Sequence, residues 1–170
     1  MAKNSTPLSF NTTRTYFDEV FETLIGHEGG YVNDSRDPGG ETKFGISKRS
    51  YPQLNIADLT LAQAKTIYRT DYWDAMHADG LPARLVMQVF DGAVHSGIGT
   101  SLRWLQKAAG VAQDGVIGPV TLGAINGASE EALIRRYLGI RLEFMTQLST
   151  WQIYGKGWAA RIAKQLMEAA

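Results

Sequence analysis

Two carboxylates and a hydroxyl crowd a short, glycine-rich stretch of this chain. Asp37 follows Glu28 by nine positions and Thr42 comes five later, with Gly29, Gly30, Gly39, Gly40 and Gly45 between and around them. Paired carboxylates are the equipment of glycoside hydrolysis: one protonates the leaving oxygen, and the other activates water or stabilises the sugar cation. Inverting enzymes hold the two carboxyls roughly 6.5–9.5 Å apart and retaining ones about 5–5.5 Å, and sequence spacing does not choose between them. Glu28 closes a helical pattern running from Arg14 to His27. There it faces the negative end of the helix macrodipole, which disfavours the ionised carboxylate and suits a general acid. The same residue types also fit a plainer arrangement, a solvated glutamate before a Gly-Gly helix stop and an Asp-Pro-Gly turn.

The elements that must position these groups follow from periodicity. Phe17, Val20, Phe21, Leu24 and Ile25 recur at helical spacing and give the first helix one buried face. The stretch from Gly29 to Gly45 is the strand-and-turn region, and a β-hairpin there would carry Asp37 and Thr42 back toward Glu28. Thr60 with Gln63 reads as a capping box opening a helix that ends in Tyr72, Trp73 and Asp74. Pro82 suits the first turn of a central helix with Leu85, Val86, Val89, Phe90 and Val94 packed inward. Gly97 and Gly99 break it, and further helices are expected over 100–109, 119–125 and 130–148. A break at Gly155-Lys156-Gly157 precedes a last helix, Trp158 to Met167. The expected fold is therefore mainly α, with about seven helices and one small hairpin beside the helix that bears Glu28. Tyr31 and Trp73 are candidate sugar platforms, since a flat aromatic face stacks on a pyranose. Trp104 and Trp158 read as core.

Five segments resemble a known family in register. They are HEGGYVNDSRDPGGETKFGIS from His27, YRTDYWDAM from Tyr68, FDGAVHSGIGTSLRWLQ from Phe90, GVAQDGVIGPVTLGAI from Gly110 and GKGWAARIAK from Gly155. Together they look like glycoside hydrolase family 108, N-acetylmuramidases of phage endolysins and bacterial secretion systems, with a peptidoglycan-binding-like C-terminal region. The resemblance implies a lysozyme-like fold and a catalytic acid at Glu28, with Asp37 and Thr42 completing the site. Their spacing is similar to that of phage-type lysozymes, one residue shorter before the threonine. It also implies that Asp91 and Ser96 line the sugar cleft. Two departures stand out: Ser35 where proline is frequent, and His95 where asparagine is usual. The organisation expected is a loose segment over 1–13, a catalytic region over 14–97 and a helical wall-binding region over 98–170 packed on it. The implied reaction cleaves the β-1,4 bond between N-acetylmuramic acid and N-acetylglucosamine. A lytic transglycosylase and a non-catalytic wall-binding module are the rivals.

Composition narrows the partners. Seventeen basic and seventeen acidic residues balance, so no overall positive charge points to nucleic acid. Cysteine is absent, which excludes disulfides and thiolate ligands. His27, His77 and His95 show no paired metal-ligand spacing, so neither metal nor cofactor is expected. No apolar run is long enough to span a bilayer. The opening residues MAKNSTPLSFNTTRTYF lack the apolar core of a secretory signal. The expectation is a monomer made in the host cytoplasm that reaches peptidoglycan strands by holin-type or other release.

Overall fold

The computed structural model describes residues 15–25, 30–33 and 40–169. Its α-helices are α1 (Tyr16–Leu24), α2 (Leu61–Ile67), α3 (Ala83–Ser96), α4 (Ile98–Ala109), α5 (Pro119–Asn126), α6 (Glu130–Thr146) and α7 (Trp151–Glu168). One antiparallel pair, β1 (Thr42–Lys43) and β2 (Ile46–Ser47), completes the described residues, with Thr42 opposite Ser47 and Lys43 opposite Ile46. The fold is mainly helical and lysozyme-like, as the periodicity and the family resemblance imply. Among the described residues no helix is long and apolar enough to cross a membrane.

The first helix starts where Asp18 reaches back to the Thr15 N–H at 2.7 Å, satisfying a donor that the helix start would otherwise leave open. Phe17, Val20 and Phe21 form its buried face, and Lys65 of α2 pairs with Asp18 at 2.6 Å. At the start of α2 the Thr60 N–H donates to Gln63 Oε1 and Thr60 Oγ1 accepts from the Gln63 N–H, the capping box expected from sequence. A π-helix, Tyr68–Asp74, then continues the chain. Its wider turn suits the five-residue spacing that buries both Tyr68 and Trp73 against Phe90.

Helix α3 is the hub. It packs on α4, α6, α1 and the π-helix, and Leu85, Val86, Val89 and Phe90 are each at most 1 % exposed. Its approach to α6 depends on Gly92. Tyr137 Oη meets Ser101 Oγ at 2.6 Å beside that glycine, and Ser101 Oγ donates to the Val89 carbonyl at 2.7 Å. A Cβ at position 92 would collide with Tyr137 Oη and lie 3.0 Å from Ser101 Oγ. Gly92→Ala is therefore expected to lower stability by about 3 kcal/mol through overpacking. Urea unfolding measures this, and adding Tyr137→Phe, which removes the colliding oxygen, should recover much of the loss. Equal midpoints for wild type and Gly92→Ala would show that α3 and α6 slide apart without cost.

The last helix departs from expectation. Helix α7 runs unbroken from Trp151 through Gly155 and Gly157, where a break was expected. A Cβ on Gly155 would lie 2.6 Å from Trp151 Cδ2, so this glycine makes room for an indole rather than ending the helix. Trp158 is half-buried and stacked beside Trp151 and Tyr154 at centroid distances of 6.2 and 5.7 Å, not enclosed in the core, whereas Trp104 is buried as expected.

Candidate active site

The two candidate catalytic carboxylates, Glu28 and Asp37, lie outside the described residues. The backbone that frames them in sequence is described. Val32 and Thr42 form an antiparallel bridge in which each N–H donates to the other's carbonyl at 2.8 Å. Thr42 thus sits between Val32 on one side and Ser47 on the other, so the hairpin proper spans only 42–47, shorter than the expected strand-and-turn region. Its two-residue turn, Phe44-Gly45, has φ of 52° and 76°, the paired positive values that a tight hairpin with matching twist requires. Phe44 is held in that unfavourable conformation by Tyr68, whose hydroxyl donates to the Phe44 carbonyl at 3.1 Å. The same hydroxyl would lie 2.6 Å from a Cβ on Gly45. The π-helix thereby fixes the hairpin that carries Thr42.

Thr42 is half-buried and its hydroxyl donates to the Gly40 carbonyl at 3.3 Å. That bond occupies the hydroxyl proton and leaves the oxygen lone pairs able to accept from a water. Tyr31, next to this bridge, is 44 % exposed.

Two candidate substrate contacts must be corrected. Trp73 is 1 % exposed, boxed in by Phe17 and Phe90 at centroid distances of 5.2 and 5.7 Å, and its indole N–H donates to Asp79 at 2.7 Å. It has no free face for a sugar and belongs to the core. Asp91 is fully buried. Arg141 Nη1 and Gln165 Nε2 donate to its Oδ2 at 2.5 and 2.8 Å, and Arg161 pairs with its other oxygen. A carboxylate so surrounded has no access to a glycan, and its work is to tie α3 to α6 and α7. Burial, the largest influence, works to raise its pKa. The hydrogen bond from Arg161 and the charges of Arg141 and His95 outweigh it, holding the carboxyl at about 2. Ser96, the last residue of α3, is half-buried.

His95, one turn beyond Asp91, places Nδ1 2.8 Å from the Asp91 carbonyl. A carbonyl only accepts, so that nitrogen carries the proton. Burial lowers the His95 pKa, against the opposing pull of Asp91. Among the described residues no three His, Asp or Glu side chains converge as a metal site would require.

Sequence reasoning missed a groove of about 340 Å³ between α1, α3 and α7. Thr23 and Leu24 at the end of α1 form one wall, Met87 and Gln88 of α3 the floor, and Arg161, Lys164 and Gln165 of α7 the other wall. The only signal in sequence was the i, i+3, i+4 spacing of Arg161, Lys164 and Gln165 on one helix face. Nothing local announced that this face meets α1.

The comparisons with known proteins agree with the architecture. The model for glycosyl hydrolase 108 matches residues 21–97, and the model for a predicted peptidoglycan domain matches residues 100–163. The structure titled "Structure of Brucella abortus SagA" is similar at 34 % sequence identity and a TM-score of 0.82, covering 90 % of this chain and 92 % of that one. Comparison with curated proteins gives no match. With a family model over the Glu28–Thr42 stretch and a solved relative of this identity along nearly the whole chain, the protein belongs to the glycosyl hydrolase 108 family, as a glycoside hydrolase that acts on peptidoglycan.

Proposed function

We propose that this protein is a muramidase that hydrolyses the β-1,4 bond between N-acetylmuramic acid and N-acetylglucosamine. Glu28 donates its proton to the leaving oxygen. Asp37 activates the attacking water or stabilises the positive charge that develops on the sugar ring, and Thr42 accepts a hydrogen bond from that water. Acid, water and a distorted sugar suffice for this reaction, so the residues themselves carry all of its steps. The observation that carries the reading is the placement of Thr42. Its hydroxyl proton is engaged by Gly40, its oxygen accepts from no donor among the described residues, and its backbone is clamped from both sides by Val32 and Ser47. A water-holding hydroxyl needs that rigidity, because a loosely held group loses the alignment on which the attack depends. Tyr31 in this reading stacks on a sugar ring, a role its exposure supports, and Ser96 contacts the substrate at the end of α3. In this reading the enzyme is a phage endolysin, a monomer made in the host cytoplasm that reaches the wall through a holin-type lesion.

Mass spectrometry of muropeptides released from purified sacculi tests the bond and the chemistry together. The expected products carry reducing-end N-acetylmuramic acid. A 1,6-anhydro end, lighter by one water, would assign a lytic transglycosylase, in which the sugar's own hydroxyl replaces the attacking water. Reducing-end N-acetylglucosamine would assign the other glycosidic bond, and no release at all would leave only wall binding.

A further inference from the structure

We propose that the groove between α1, α3 and α7 is a binding subsite for the peptide stem of the peptidoglycan substrate, an inference that rests on the muramidase reading above. Three observations carry it. Gln88 is 5 % exposed and lines the groove, yet its Oε1 has no hydrogen-bond partner among the described residues. A buried acceptor left unmade costs free energy that an incoming N–H donor would recover. The charge of the far wall is positive. Asp91 is a single carboxylate shared between Arg141 and Arg161, and Lys164 reaches only Glu168, loosely, at 3.7 Å with 72 % of its side chain exposed. Among the described residues the lining of the groove holds three cationic side chains, Arg84, Arg161 and Lys164, against one carboxylate, Glu168, with Asp91 buried behind Arg161. Leu24 and Met87 supply apolar surface between these polar groups.

An unpaired acceptor, an apolar strip and an excess cation match an extended peptide with backbone N–H groups and free carboxylates. The glycan part of the intact wall matches less well, because its lactyl groups are amidated by the stems and leave the sugars no anion of their own; strands stripped of stems carry that carboxylate free but no peptide N–H groups beyond it. The wall that Leu24 contributes is four residues before Glu28 in sequence, so a stem hanging from the muramic acid at the cleaved bond has its subsite on the helix that leads to the proposed acid. Binding energy collected there positions the glycosidic bond and is felt in kcat/KM.

The experiment compares two substrates for the full-length protein: solubilised glycan strands bearing stems, and the same strands stripped of stems by an amidase. Wild type is expected to show kcat/KM about tenfold higher on stem-bearing strands. Lys164→Glu, at an exposed position, and Gln88→Leu, close in size and without the orphaned acceptor, should each bring that ratio down toward one. The proposal is overturned if wild type cleaves both substrates equally or if the variants keep the wild-type ratio. If neither substrate is cleaved, the muramidase reading fails by itself. Calorimetric titration with muramyl tripeptide then decides the groove: affinity weakened about tenfold by Lys164→Glu supports it, and equal affinity overturns it.

Discussion

Asp91→Ala is expected to lower the melting temperature by roughly 10 °C or more, followed by circular dichroism. The carboxylate is the only negative partner of Arg141 among the described residues, and both side chains are fully buried. Arg141 Nε and Nη2 already lack partners, so removing Asp91 leaves an uncompensated guanidinium in the core. Breaking one side of a buried ion pair costs about 3–5 kcal/mol. For a chain of this size that corresponds to about 2–4 °C for each kcal/mol. Arg161→Ala should cost much less, because Arg161 is 37 % exposed and water takes its place. Replacing both buried partners with apolar residues, Asp91→Leu with Arg141→Met, is expected to recover most of the stability lost by the single change. An Asp91→Ala protein that melts within about 3 °C of wild type would mean that Arg141 relaxes to solvent at little cost.

The same carboxylate sets an acid limit. Its folded pKa, about 2, lies below the unfolded value near 4. A group depressed on folding contributes stability above its unfolded pKa and loses that contribution as pH falls through the folded one. Wild type should therefore lose stability between about pH 4 and pH 2, and the part due to Asp91 should be missing from the Asp91→Leu, Arg141→Met protein.

Asp91 also shows where the sequence stops being informative. Its helix was legible, because Leu85, Val86, Val89, Phe90 and Val94 recur at helical spacing and Pro82 marks the start. Asp91 lies in that helix, but its partners stand 50 and 70 residues away, and no local pattern links an aspartate to arginines at that separation. Trp73 misled for a related reason. It stands at the polar end of a helix, between Asp71 and Asp74, while the π-turn turns the indole inward and Asp79 receives its N–H. Gly155 and Gly157 read as a break because glycine disfavours helices by itself, and only the ring of Trp151 reveals what the missing Cβ is for. The cap of α2 was legible because its chemistry is local, Thr60 with Gln63, and the same local chemistry closes the other ends: Ser129 accepts from the Ala132 N–H, and Gly110 at φ 74° ends α4. The framing of the candidate site was half legible. The glycines around Thr42 announced a tight turn, but its register depends on Tyr68, which arrives from a helix 24 residues away.

Glu28→Gln is expected to reduce clearing of purified cell walls by about 10²–10⁴-fold, the usual contribution of a positioned general acid, while leaving the melting curve unchanged. The amide matches the carboxylic acid in shape and still donates hydrogen bonds, but it has no proton to give to a departing sugar oxygen. A loss of activity without a loss of fold therefore isolates proton transfer from packing. Asp37→Asn separates the two enzyme readings. If the second carboxylate activates water or faces a sugar cation, its loss should lower the rate by a comparable factor. If the sugar's own hydroxyl is the nucleophile, Asp37→Asn should retain most of the rate and the products should carry anhydro ends. Thr42→Val keeps the β-branched shape at the bridge with Val32 and removes only the hydroxyl, so it should slow water attack by about tenfold without disturbing the hairpin. These three variants form a graded series only if the acid is at position 28. Undiminished clearing by Glu28→Gln would move the proton donor elsewhere and leave Asp37 and Thr42 without the partner that gives them a role.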